Sequence, residues 1–183
     1  MFAHPSESYL ISEGRLTKAN NTAYANADEV DLTNNAIMHL FSRIEYHLLN
    51  QLIESLNYPG QATTILGLLK YPDDTATTAA KAYNRRFAAR HAYLIQSPAV
   101  KGTFSFRMPL KHIFGFCEDY DKIVYRLKHD LTLVRKTDDD AIFRRAAAGA
   151  GKVSLDKMSW FMPHVIPADT EKFSIYKTIE SKV

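Results

Sequence analysis

KGTFSFRMPLKHIFGFCEDYDKIVYRLKHDLTLVRKTDDDAIFR, Lys101 to Arg144, is the stretch whose reading decides the fold. Phe104, Phe106 and Met108 alternate with Ser105 and Arg107, and Leu131 and Leu133 flank Thr132. Such period-two alternation marks strands with one buried face, because successive side chains of an extended chain point to opposite sides. Pro109 ends the first run or places it at a sheet edge, since it has no N–H to give to a ladder. The richness in Phe, Tyr, Ile and Val suits a pleated, half-buried surface. A sheet protein is the first inference.

Outward from this stretch the same signals recur. In Ser42 to Leu48, Ile44, Tyr46 and Leu48 stand opposite Arg43, Glu45 and His47. That pattern predicts a strand, with Leu49 to Gln51 as the turn and Leu52 to Leu56 as the return. His91 to Gln96 and Thr103 to Pro109, around Ser97-Pro98 and Lys101-Gly102, read as a second hairpin. Ser8 to Leu16 reads as a first strand stopped by Gly14. Lys122 to Tyr125, Leu127 to Lys136 and Val153 to Met162 are further strand material, and the acidic Thr137 to Asp140 is a turn.

Asn35 to Phe41 suits either helix or strand. After Pro59-Gly60, the spacing of Ile65, Leu66 and Leu69 predicts a helix over Gln61 to Lys70. Thr17 to Asp31, which contains the formal sequon Asn20-Asn21-Thr22, and Tyr71 to Arg86 have loop compositions. The alanine cluster in Ala141 to Lys152 favours a second helix, ended by Gly149 and Gly151. Pro163 and Pro167 break the pattern, and FSIYKTIESKV, Phe173 to Val183, reads as the beginning of another strand without its partners. Many short strands, two hairpins and no regular strand-helix alternation imply an all-β fold. The expected form is an antiparallel jelly-roll β-sandwich with one or two short helices.

The chain has 183 residues, 46% hydrophobic and 23% charged, which supports one domain with a real core and excludes wholesale disorder. A net charge of +3, with basic and acidic residues interleaved, gives no case for a specific nucleic-acid partner. The single cysteine, Cys117, excludes an internal disulfide framework and a multi-cysteine zinc site, and fits a reducing compartment. The N-terminus has no basic start followed by an apolar stretch, and no apolar run approaches spanning length. An intracellular protein without a membrane partner is expected.

Candidate chemistry is thin. AGAGK, Ala148 to Lys152, has part of a phosphate loop, but Ala146 stands at the leading glycine position and Val153 at the Ser/Thr that would meet magnesium. None of the seven histidines forms an HxH, HExxH or HxxxH pair. His112 with Glu118 and Asp119 is the one weak metal or acid-base candidate, outweighed by ordinary structural roles. Asp138, Asp139 and Asp140 are consecutive, so they point apart and read as a solvated turn more than a calcium loop. Cys117 lacks a visible base and reads as a buried small residue. Arg85, Arg86 and Arg90, beside Tyr83 and Phe87, read as a solvated edge more than a nucleic-acid contact. No catalytic, cofactor-binding or metal residue is assigned, and neither an enzymatic activity nor a cofactor is expected.

LTNNAIMHLFSRIEYHL, PGQATTILGLLKYPDD, KGTFSFRMPLKHIFGFCEDYDKIVY, LTLVRKTDDDAIFR and KVSLDKMSWFMPHVIPA resemble the double jelly-roll-like proteins of invertebrate genomes. These are similar to the major capsid proteins of Polinton or Maverick type elements and allied DNA viruses. The resemblance runs from about Pro5 to Val183 and implies a structural role. In such capsid proteins two tandem jelly rolls pack side by side, and three chains form a pseudo-hexagonal capsomer. The partners it implies are therefore other jelly-roll chains, copies of this one included. The length departs from that plan. It leaves room for one jelly roll, residues 5–168, as the N-terminal half of a double one, and for a truncated following segment, residues 169–183. A truncated or domesticated copy that is marginally stable alone and forms no closed shells is the corresponding expectation. The rival readings are a jelly-roll enzyme and a β-sandwich that binds carbohydrate, with Trp160 and tyrosines as a platform, or another protein.

Overall fold

The computed structural model describes residues 2–24, 30–33, 35–70, 94–97, 100–144 and 150–180. In chain order these form β1 (Phe2–Ala3), β2 (Tyr9–Lys18), β3 (Val30–Leu32), α1 (Ala36–His39), β4 (Phe41–Leu48), β5 (Gln51–Asn57) and α2 (Pro59–Lys70). Then come β6 (Leu94–Ser97), β7 (Val100–Pro109), α3 (Gly115–Asp119), β8 (Val124–Tyr125) and β9 (His129–Arg135). The last are β10 (Ile142–Arg144), β11 (Gly151–Phe161), β12 (His164–Val165) and α4 (Asp169–Glu180). Single 3-10 turns at Pro5–Glu7, Leu110–His112 and Asp139–Ala141 join some of them.

Two sheets carry most of the interior: β11-β2-β7-β6 and β5-β4-β9. Smaller sheets, β12-β1-β8 and β10-β3, close the margins, and every pairing is antiparallel. With the helices of the described residues confined to connections and to the segment after β12, this is the jelly-roll β-sandwich that the alternation predicted.

The alternation decides which side chains enter the core. On β2, Leu10, Ser12, Gly14 and Leu16 are buried while Glu13 and Arg15 are exposed, and on β7 Phe104 and Met108 are buried. From the facing sheet, Phe41, Ile44, Tyr46 and Leu48 of β4 join the same cluster, together with Leu110, Ile113, Phe114 and Cys117. Removing such side chains from water contributes about 1.5–3 kcal/mol each. The sheets meet directly where Tyr46 stands edge-on to Trp160 of β11, ring centroids 6.2 Å apart.

β11 keeps its apolar residues inward despite an irregular spacing. Val153 and Leu155 lie two apart, but the next inward pair is Met158 and Trp160, a step of three. A bulge between Leu155 and Lys157 supplies the odd residue, because an extra residue in one strand resets the side-chain phase. The unpaired Asp156 turns outward and is gripped by Arg15 through two hydrogen bonds, 2.8 and 3.2 Å.

Four expectations are corrected. Gly14 does not stop the first strand: β2 continues to Lys18, and a Cβ at Gly14 would lie 2.2 Å from the carbonyl oxygen of Ser154 and 2.7 Å from the Phe104 ring. The glycine is there for close packing. Thr17 to Asp31 is not all loop, since Val30–Leu32 pairs with β10; Asn20 does sit in a turn, where its side chain accepts from the Thr22 N–H and hydroxyl. Of the helix expected over Ala141 to Lys152, Ile142–Arg144 is a strand and Gly151 opens β11. Pairing with β3 makes Ile142–Arg144 a strand, and the alanine cluster itself, within 145–149, lies outside the described residues. The tail is helical: α4 spans Asp169–Glu180, with Asp169 and Glu171 in its first turn and Lys177 in its last, the charge order that suits the helix dipole. Asn35 to Phe41, open to either reading, divides between α1 and the start of β4.

The predicted hairpins form. Between β4 and β5 the turn is Leu49 and Asn50, both at positive φ (47° and 64°), the two-residue geometry that follows strand twist. β6 and β7 form the second hairpin and α2 the expected helix. The predicted loop Tyr71 to Arg86 lies outside the described residues.

Candidate functional site

A groove of about 230 Å³ lies between β5, α2 and the segment Lys111 to Glu118. Glu54, Thr63 and Lys111 at its margin each have a local structural role. Glu54 projects from β5 toward α3, and its carboxylate accepts hydrogen bonds from the N–H of Gly115 (3.0 Å) and Phe116 (2.8 Å). These are orphan donors of a helix start, so a strand residue caps the helix. Thr63 of α2, buried, donates its hydroxyl to the Pro59 carbonyl at 2.6 Å and accepts from Asn35 at 2.7 Å. Asn35 adopts the left-handed conformation (φ 56°) before α1 and clasps the two helices, also donating to Thr64 at 3.0 Å. Lys111 pairs with Glu7 at 3.5 Å.

The structure does bring His112 and Glu118 to this one groove, as the sequence allowed, whereas Asp119 is exposed and does not line it. Among the described residues no three His, Cys, Asp or Glu side chains gather as metal ligands. Cys117 is fully buried, and burial, with Glu54 nearby, pushes its thiol up to about 12. At neutral pH it is a protonated thiol packed in the core, the opposite of an activated nucleophile.

The remaining sequence candidates go to structural posts. Asp138 accepts the Val153 N–H at 2.8 Å and pairs with Arg135, whose guanidinium also donates to the Val153 carbonyl at 2.9 Å. It thus fastens β9 to β11. Asp140 pairs with Lys136, which holds its carboxyl below the usual range, so the acidic run points in separate directions. Lys152 lies on β11 opposite Thr17, not at a helix start where a phosphate-loop lysine would sit. Trp160 is half-buried and packs edge-on against Tyr46 and His129. Arg85, Arg86, Arg90, Tyr83 and Phe87 lie outside the described residues.

Sequence reading missed one polar cluster: Tyr46, His129 and Trp160, drawn from three strands. Tyr46 Oη and His129 Nδ1 lie 2.6 Å apart. The only advance signal was that Tyr46 shares the inward phase of Ile44 and Leu48.

The model of the double jelly roll-like domain family matches residues 30–183. The chain belongs to the double jelly roll-like domain family. Membership covers all the elements from β3 onward, while β2, which precedes the matched region, completes the middle of the larger sheet. No curated protein and no solved structure matches the chain. Among the described residues of this double jelly roll-like domain, no helix is long and apolar enough to cross a membrane.

Proposed function

We propose that this double jelly roll-like domain is a non-catalytic, capsid-like structural protein that works by packing against other jelly-roll chains, its own copies included. We further propose a viral or Polinton-type origin, and neither nucleic acid nor membrane as a specific partner. The family supports the structural part of this reading, and so does the groove, where Glu54 is taken up in capping and Thr63 in clasping. The observation that carries it is apolar surface turned outward. Leu52 of β5 is 54% exposed, and Ile65 and Leu69 of α2 are 58% and 79% exposed. Surface of this kind marks places where another molecule is received. A second apolar group, Ile166, Phe173 and Tyr176, stands out around α4.

The test is Leu52→Ser combined with Ile65→Ser and Leu69→Ser, followed by light scattering and sedimentation of parent and variant. The parent chain is expected to associate as concentration rises and the variant to stay dispersed. Each exposed replacement should change unfolding stability by no more than about 0.5 kcal/mol. A parent that remains a monomer throughout, or a variant that associates equally, would count against assembly through this face.

A further inference from the structure

His129, at the start of β9, is held in a setting that suits only its neutral form. Burial pushes the Tyr46 hydroxyl well above its ordinary range, so it keeps its proton and can give it to the ring nitrogen Nδ1, 2.6 Å away, in the tautomer that carries the ring proton on Nε2. The ring proton then sits on Nε2, which is buried and meets no hydrogen-bond partner among the described residues. The imidazole stands nearly perpendicular to Trp160 of the opposite sheet, at 80° and 6.4 Å between centroids, and the Trp160 Nε1 is likewise buried without a partner.

Adding a second proton would place a hydrogen on Nδ1, where the Tyr46 hydroxyl already points its own. The hydroxyl would have to turn away, and no other acceptor serves it among the described residues. The charged groups nearby give little relief. His164, from β12, disfavours a positive charge at His129. Asp130, next on the same strand, favours one, with one carboxylate oxygen paired with Lys128 at 2.9 Å and the other buried without a partner among the described residues, but this does not offset burial. Cys117, near Tyr46, is neutral. Burial is the leading cause, and the net effect holds His129 below the ordinary histidine range.

We propose that His129 is an acid-sensitive pin of the sandwich: neutral, it holds Tyr46 and seats against Trp160 of the facing sheet, and protonated, it loosens the two sheets at that end. The sign follows from linkage. The unfolded chain, with a histidine near about 6.5, takes up the proton more readily than the folded one. Stability is therefore full above that pH and declines as pH falls through it toward the lower folded value. His39, beside Gly60, Lys136 and Asp140, is also lowered by burial and shares this sign, but among the described residues it makes no hydrogen bond or ring contact with Tyr46, His129 or Trp160 and serves as the control.

The chain has a single tryptophan, Trp160, so its emission reports on this cluster alone. The intact chain, His129→Gln and His39→Gln are compared by tryptophan emission and urea unfolding between about pH 7.5 and about pH 5. In the parent chain the unfolding midpoint should fall with acid and the emission change with it. His129→Gln should lose the emission response and part of the midpoint fall, whereas His39→Gln should keep the emission response. Equal emission profiles in parent and His129→Gln would overturn the proposal. Where that variant does not fold, the imidazole proton resonance of His129 in the parent decides: titration at or above about 6.5 overturns it, and titration below supports it.

Discussion

β2 and the corner formed by β5 and α2 are both rich in apolar residues, yet they use them oppositely. Along β2 the apolar side chains Leu10 and Leu16 enter the core between the two sheets, and the charged Glu13 and Arg15 face out. At the corner and the adjoining turn, Leu49, Leu52, Ile53, Tyr58, Ile65 and Leu69 face solvent. The first region is explained by the folded chain itself. The second is not, and on the proposed reading a partner would give its apolar residues the environment that β2 has within the chain. Substitutions should therefore act differently in the two places.

The largest effect is expected at Gly14. Gly14→Val would drive a side chain into the Ser154 carbonyl and the Phe104 ring, where even a Cβ is too close. A loss of about 3 kcal/mol or more, or failure to fold, is the expected outcome in urea unfolding. Near-parental stability would show that the two strands can separate cheaply and would erase the contrast with the corner.

An intermediate effect is expected where β9 is fastened to β11. Asp138→Ala leaves the Val153 N–H without its acceptor and Arg135 without its carboxylate. This should cost about 1–3 kcal/mol by the same measurement. If the loss is nearer zero, the Asp138 tie is solvated and the acidic run is the simple turn that its composition suggests.

The smallest effect, and the only gain, is expected at the corner. Leu49 holds a positive φ of 47° while 54% exposed, a conformation that asparagine tolerates better than leucine. Leu49→Asn should raise the unfolding free energy by up to about 1 kcal/mol. A loss would mean that the Leu49 side chain contributes contacts within the chain, and the corner would then resemble β2 more than it differs from it.

The elements that could be read in advance are those whose signal is carried by one strand alone. Ile44, Tyr46 and Leu48 announce their face without reference to anything else, and so do Phe104, Phe106 and Met108. Misreadings arose where a distant partner decides. Gly14 looks like a breaker until β11 and Phe104 are seen lying over it, and Ile142–Arg144 becomes a strand because β3 is there to pair with it. The phase change between Leu155 and Met158 was visible as a spacing of three, but its meaning depends on Arg15 waiting across the ladder for Asp156. α4 was missed for a different reason. Phe173, Ile175 and Tyr176 have strand-like composition, while the better evidence lay in Asp169 and Glu171 preceding Lys177. Of the groove, His112 and Glu118 could be suspected from proximity in sequence. The capping role of Glu54 could not, since its partners are Gly115 and Phe116, far along the chain.

β2 has one further consequence, which concerns time. It lies between β7 and β11, pairing Tyr9 with Pro109 on one side and with Phe161 on the other. A chain emerging from the ribosome therefore makes the middle of its larger sheet long before either neighbour exists. Until β7 arrives both margins of β2 are bare, and until β11 arrives one still is. Loop closure across such distances is slow compared with forming the β4-β5 hairpin, which needs only a two-residue turn. The smaller sheet can begin early, and the larger must wait for its last strand.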